Sequence, residues 1–263
     1  MQTKSPTDMT RMTSPDIAGA LTRGMTTAIV VLGAQEQHGA HLPLATDSLW
    51  GERLAGVVAE RLGNALVAPV MPVGVSPEHM SFAGTVTLRP ETFAAVVDDY
   101  VTSLAHHGFK RIVLLPSHGG NFGPLDAELP RLRARHPDIT VIAYTDLLGL
   151  VDAAAAVAGA AGVSPEEAGA HAGEWETSMV LALEPDLVHR ERGEAGYLGP
   201  LAPVFDQINR EGMESVTPNG VLGDPAKASA SHGDAYLARM AELLVEHIRS
   251  VVDDRSSAVV ADT

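Results

Sequence analysis

AIVVLGAQEQHGAHLPLATD, residues 28–47, decides how this chain is read. It opens on Ala28–Leu32, a wholly apolar run rich in β-branched side chains, the signature of a strand buried on both faces. A polar turn carrying Glu36, His38 and His41 follows. Asp47 then stands at the head of a helix predicted over 49–62, with Leu54, Val57, Val58 and Leu62 on one face. RIVLLP (111–116) repeats the arrangement: a buried strand that ends at SHGGN (117–121), then a helix with Leu125, Leu129 and Leu132 inward and Asn121 as its cap.

Outward from these two units, strands continue to alternate with helices. Ser14-Pro15-Asp16 reads as an N-cap with Pro at the first helical position, and Gly24 as the stop. Residues 66–73 form another apolar run. Pro90 opens the most periodic helix, through Phe93, Val97, Val101 and Leu104 to Gly108. A strand is predicted over Ile139–Tyr144 and a terminal helix over 226–251. Residues 147–168 read as a helix and a mobile loop, and 190–232 as loop. The pattern is α/β with a mainly parallel sheet packed between helices. One domain is expected over 14–251, with 1–13 and 252–263 as disordered tails. Ligands of such sheets bind outside the carboxyl ends of the strands, where both His-rich turns fall.

Composition narrows the chemistry. With 18 Lys+Arg against 33 Asp+Glu, the formal charge is −15, and no basic stretch offsets it, so nucleic acid and anionic membranes are excluded as partners. The chain has no cysteine, so a metal would have to be held by His, Asp and Glu. The N-terminus shows no apolar h-region, and no apolar run reaches the ~18–20 residues of a membrane span. A cytoplasmic location is expected.

Three clusters carry chemical potential. In extended backbone, Glu36 and His38 point the same way, and Asp47 returns nearby; this donor set suits Zn²⁺, Mn²⁺ or Fe²⁺. Asp47 equally suits a helix N-cap. His118 lies in a glycine-rich turn that allows close approach of a ligand. In HAGEWETS (171–178), Glu174 and Glu176 would lie about 200° apart on a helix, so both cannot face one site. Glu176 continues through Val180 and Leu183. Either carboxylate could simply complement the helix N-terminus. His136, His189, His232 and His247 have no partners nearby in sequence and read as surface or packing residues.

Taken together, GAQEQHGAHLPLATD, SPEHMSFAGT (76–85), SHGGN and HAGEWETS, with GVLGDPAKAS (220–229) as a weaker fifth stretch, resemble the creatininase (creatinine amidohydrolase) family. The likeness spans roughly residues 20–250. It implies a three-layer α/β/α fold, two divalent metal ions per subunit (Zn, Mn or Fe) and a homo-oligomer, often a hexamer. It further implies that Glu36 and His118 hold one metal, that His38 holds the other and that Asp47 bridges. Creatininase takes a glutamate two residues after the His118 equivalent; Gly120 stands there in this chain, and the resemblance passes that role to Glu176. His171 matches a histidine near the reacting group, with Glu174 or Glu78 in support, and Glu78 and His79 would line the substrate pocket. Departures at Ala34-Gln35, Ala40 and Ala83 bear on the substrate and not on the metals. The expected function is hydrolysis of a C–N amide bond in a lactam, formamide or similar small amide, through a metal-bridging water. The alternatives are a peptidase trimming a modified precursor peptide and a non-hydrolytic metal-binding subunit of a biosynthetic complex.

Overall fold

The computed structural model describes residues 6–261. Its helices are α1 (Ser14–Thr22), α2 (Thr46–Leu62), α3 (Pro90–His106), α4 (Gly119–Arg135), α5 (Leu147–Ala160), α6 (Pro165–Ala168), α7 (Glu174–Leu183), α8 (Ala202–Glu211) and α9 (Ala230–Ala261). Its strands are β1 (Thr27–Leu32), β2 (Ala65–Val67), β3 (Arg111–Pro116) and β4 (Thr140–Ala143), all parallel in the order β2-β1-β3-β4.

Every residue of β1 is buried, as its unbroken apolar sequence requires. The side chains alternate between two cores. Ile29 and Val31 join α2, α5, α7 and α9 on one face, while Ala28, Val30 and Leu32 join α1, α3 and α4 on the other. Helices thus cover both faces of the sheet, the expected three layers. Among the described residues, no helix is long and apolar enough to cross a membrane.

The strand order positions the site. From β1 the chain crosses to one side to form β2 and then to the other to form β3, leaving β1 and β3 as neighbours with Leu32 opposite Pro116. Their outgoing connections diverge, which opens a crevice at the carboxyl ends of the two strands. EQHGAH and SHGGN leave from that edge.

Several local expectations are corrected. The cap of α1 is Thr13, one residue earlier than predicted, because its hydroxyl accepts from the Asp16 N–H and Asp16 reaches back to the Thr13 N–H. Of the stretch read as an N-terminal tail, residues 1–5 lie outside the described residues. Asp8 pairs with Val67 and caps a short turn over Met9–Arg11, and Met9 and Met12 pack on the second core. At the other end α9 runs on to Ala261. The region read as loop over 190–232 contains α8. That helix is short and mostly polar on its outer side, so its periodicity is drowned by the flanking Gly and Pro.

Candidate metal centre and its pocket

Each outgoing turn delivers side chains to one buried volume. Glu36 and His38 leave β1; Asp47 sits in the first turn of α2; His118 precedes the first residue of α4; Glu176 lies in the first turn of α7. All five are nearly or wholly inaccessible to solvent. Glu36, Asp47 and His118 offer ligand atoms within 4.8 Å of one another, and so do His38, Asp47 and Glu176, so that Asp47 belongs to both groups. Glu36 also stands within the same reach of His38 with His171, and of Glu78 with His79.

Asp47 does not cap α2: the cap position is Ala45, and no side chain bonds there. Its two oxygens face two imidazoles instead, Oδ1 at 3.4 Å from His38 Nε2 and Oδ2 at 3.7 Å from His118 Nδ1. Asn121 is not a cap either. Its Nδ2 donates to Leu32 O and Gly33 O at 2.9 and 3.0 Å, and its Oδ1 accepts from the Val75 N–H at 2.9 Å. It therefore ties the end of β1 to the strand-like segment before Ser76. Asn121→Ala should lower unfolding free energy by about 2 kcal/mol, because buried backbone groups lose their partners. A shifted denaturant midpoint at unchanged slope would show this.

Backbone carbonyls fix which ring nitrogen faces inward. A carbonyl only accepts, so His38 Nδ1–H donates to Glu36 O at 3.2 Å and Nε2 is turned toward Asp47 and Glu176. His118 Nε2–H donates to Val75 O at 2.9 Å and leaves Nδ1 toward Glu36 Oε2 at 3.2 Å. Histidine ligands of metals are oriented in this way, by donating the other N–H to a carbonyl. His171 follows the same rule: Nε2–H donates to Gln37 O at 2.7 Å, and Nδ1 lies 3.6 Å from Glu36 Oε1.

The donor set passes a direct test of fit to a cation. Both carboxylate oxygens of Glu36, Asp47 Oδ2 and His38 Nε2 are buried and have no hydrogen-bond partner. Leaving such atoms unpartnered is costly. Neighbouring donors stand 3.2–3.8 Å apart, at or beyond the outer limit of a hydrogen bond and close to the edge of about 3.3 Å that a tetrahedron of ~2.0 Å metal–ligand bonds would have.

The charges of the cluster also act on one another. Burial alone would depress His118, yet Glu36, Asp47 and Glu78 outweigh it and push it up to about 10. His38 is likewise raised well above its ordinary value, against burial, by Asp47 and Glu176. Burial, with Glu36 as a like charge, lifts Asp47 to about 6. His171 is pushed down to about 4, first by burial and then by His38, and is neutral at pH 7.

Glu176 accepts from the Ala172 N–H at 2.6 Å; among the described residues Ala172 is the non-glycine residue with a left-handed φ, +52°. Strained backbone of this kind collects at functional sites. Glu174, expected beside the reacting group, points elsewhere. The helix carries it to the far side, where it accepts from Ser178 Oγ and His232 Nδ1, both at 2.7 Å, and from Tyr236 OH. His232, read as a surface or packing residue, is the partner of a buried carboxylate. Sequence proximity could not reveal a pairing between α7 and α9. His41 Nε2 bonds Thr177 Oγ1 at 2.9 Å, bracing the first turn against α7.

A pocket of about 780 Å³, counting its open mouth, leads to the centre. Glu36, Asp47, His118 and His171 line it, as do Glu78 and His79, and among the described residues no lysine or arginine does. Its walls are apolar, and some of them come from α8, which the sequence did not disclose.

Residues 10–248 match the creatininase family, described as creatinine amidohydrolase. The chain is 35% identical over 228 residues to the mycofactocin precursor peptide peptidase of Mycobacterium ulcerans (strain Agy99), a match covering 84% of this chain and 83% of that one. It is 31% identical over 232 residues to the creatinine amidohydrolase of Pseudomonas putida, covering 83% and 86% respectively. Among solved structures, a mutant creatininase of Zn-Zn type is similar with a TM-score of 0.75 at 28% identity, covering 94% of this chain and 98% of that one.

Proposed function

The chain belongs to the creatininase family, whose members include hydrolases of carbon–nitrogen bonds, and from that premise we propose that it uses two divalent cations to hydrolyse the amide bond of a small amide such as a lactam or formamide. The observation that carries this reading is the convergence of buried, unpartnered atoms of Glu36, His38 and Asp47 on one volume. Glu36 and His118 would hold one cation, His38 and Glu176 the other, and Asp47 both. Zn²⁺, Mn²⁺ or Fe²⁺ suits this nitrogen and oxygen set. When bound, such cations lower the pKa of water and polarise a carbonyl.

The chain's own groups supply the rest. His171 presents a bare Nδ1 to the centre because Gln37 O holds its other nitrogen as N–H. That atom can take a proton from the attacking water and return it to the leaving nitrogen. Glu78 and His79, on the adjoining wall, would hold the amide in place. Glu174 is given no role in the proposed chemistry, because its hydrogen bonds go to Ser178 of α7 and to His232 and Tyr236 of α9.

A second reading, a peptidase acting on a precursor peptide, is favoured by the relationship to the mycofactocin precursor peptide peptidase and by the apolar walls. Both readings share the metals. Exhaustive chelation should abolish turnover, and added Zn²⁺ or Mn²⁺ should restore it with about two ions bound per chain. Undiminished turnover after chelation would sink both readings. Assays on formamides, lactams and short peptides would then choose between them. A cytoplasmic homo-oligomer, up to a hexamer, completes the proposal, and light scattering of the purified protein tests the assembly.

A further inference from the structure

We propose that α8 is the wall that selects an apolar group of the substrate, and that Phe205 is its specificity-determining residue. The inference rests on the amide-hydrolase reading and adds to it the character of what is bound beside the scissile bond.

Leu201, Phe205, Ile208 and Asn209 recur at i, i+4, i+7 and i+8, which is one face of a helix. All of them line the pocket that ends at Glu36, Asp47 and His171. This face is not spent on the main core. Ile208 joins a small separate cluster with Met213 and Leu222. Leu222 in turn exchanges backbone hydrogen bonds with His171, at 2.9 and 3.3 Å. The helix also packs on the short turn Pro77–His79, which carries Glu78. The wall is therefore attached to the segments that bear His171 and Glu78, and its distance from the reacting end of the pocket is set from both sides.

Phe205 remains 40% exposed although it lines a pocket whose other walls include Trp50, Leu150 and Trp175. A large ring left open on a concave apolar surface marks a place where an apolar group binds. The geometry commits that group to the substrate itself, because the pocket is continuous with the donor cluster. An aromatic or branched aliphatic substituent next to the amide fits; a bare primary amide leaves the ring uncovered.

Both tryptophans of the chain line this same pocket, so their fluorescence reports occupancy without turnover. Zinc-loaded protein would be titrated with acetamide and with N-benzylacetamide. The benzyl compound should bind at least about a hundredfold more tightly, since burying a ring contributes a few kcal/mol. Phe205→Ala should cut that preference about tenfold, and Phe205→Leu should keep most of it. Phe205 is partly exposed, so both variants should melt near the wild-type temperature. Equal affinities for the two probes, or a preference unchanged in a folded Phe205→Ala protein, would overturn the proposal. If the preference follows Phe205 but the zinc-loaded protein hydrolyses no amide, the wall stands and the hydrolase reading falls. If amides are hydrolysed with no such preference, the reverse holds.

Discussion

Asp47→Ala should lower kcat/KM by about a thousandfold, or about 4 kcal/mol of transition-state stabilisation, and should reduce bound metal to less than half. The size of the effect follows from the position of the carboxylate. One oxygen faces His38 Nε2 and the other faces His118 Nδ1, so a single truncation removes a donor from both groups. Asp47 is the residue that the group Glu36, Asp47 and His118 has in common with the group His38, Asp47 and Glu176 among the described residues. Asp47→Asn keeps the shape but lowers the charge, and should fall between. The fold should survive: burial and the like charge of Glu36 raise the pKa of Asp47 while His38 and His118 lower it, so its removal relieves an unfavourable burial, which offsets the partner that the two imidazoles lose. The metal-free variant should melt within about 4 °C of metal-free wild type. Metal analysis and steady-state kinetics on the same sample test this. An Asp47→Ala protein with full metal content and turnover would refute the assignment.

The opposite profile is expected for Glu174→Ala, two residues from a proposed ligand. Its carboxylate is wholly buried and is the common acceptor for Ser178, His232 and Tyr236. Removing one partner from a buried polar network costs about 3–5 kcal/mol, because the remaining groups keep their desolvation cost and lose their compensation. Part of that is recovered where water reaches His232, whose side chain is 26% exposed. A loss of about 3 kcal/mol, near 8 °C in melting temperature, is the expected result. Metal content and turnover of the molecules that remain folded should be retained. A variant that melts like wild type yet turns over poorly would return Glu174 to the chemistry.

These two carboxylates show how far the sequence could be read. Strand β1 was legible because burial on both faces demands an unbroken apolar run, and the turn after it was legible because polar, metal-ligating types are dense there. The 200° separation of Glu174 and Glu176 was also legible, as simple helical arithmetic. Which of the two faces inward was not, since that depends on how α7 sits on α9. Asn121 looked like a cap because local position was all that could be judged; its partners, Leu32, Gly33 and Val75, lie 46 to 89 residues away. Phe205 and Ile208 were hidden for a different reason. A short helix with one apolar face, set in Gly- and Pro-rich surroundings, resembles a loop until its packing is seen.

The carbonyls of Glu36, Gln37 and Val75 hold the N–H groups of His38, His171 and His118. These acceptors are main-chain atoms, and no exchange of side chain can delete a main-chain carbonyl. The proton positions of the centre are thus shielded from point mutation in a way that a side-chain carboxylate in the same place would not allow. The side chains at positions 37 and 75 take no part in these bonds, so the working tautomers depend on the path of the chain there and not on the chemistry of those side chains.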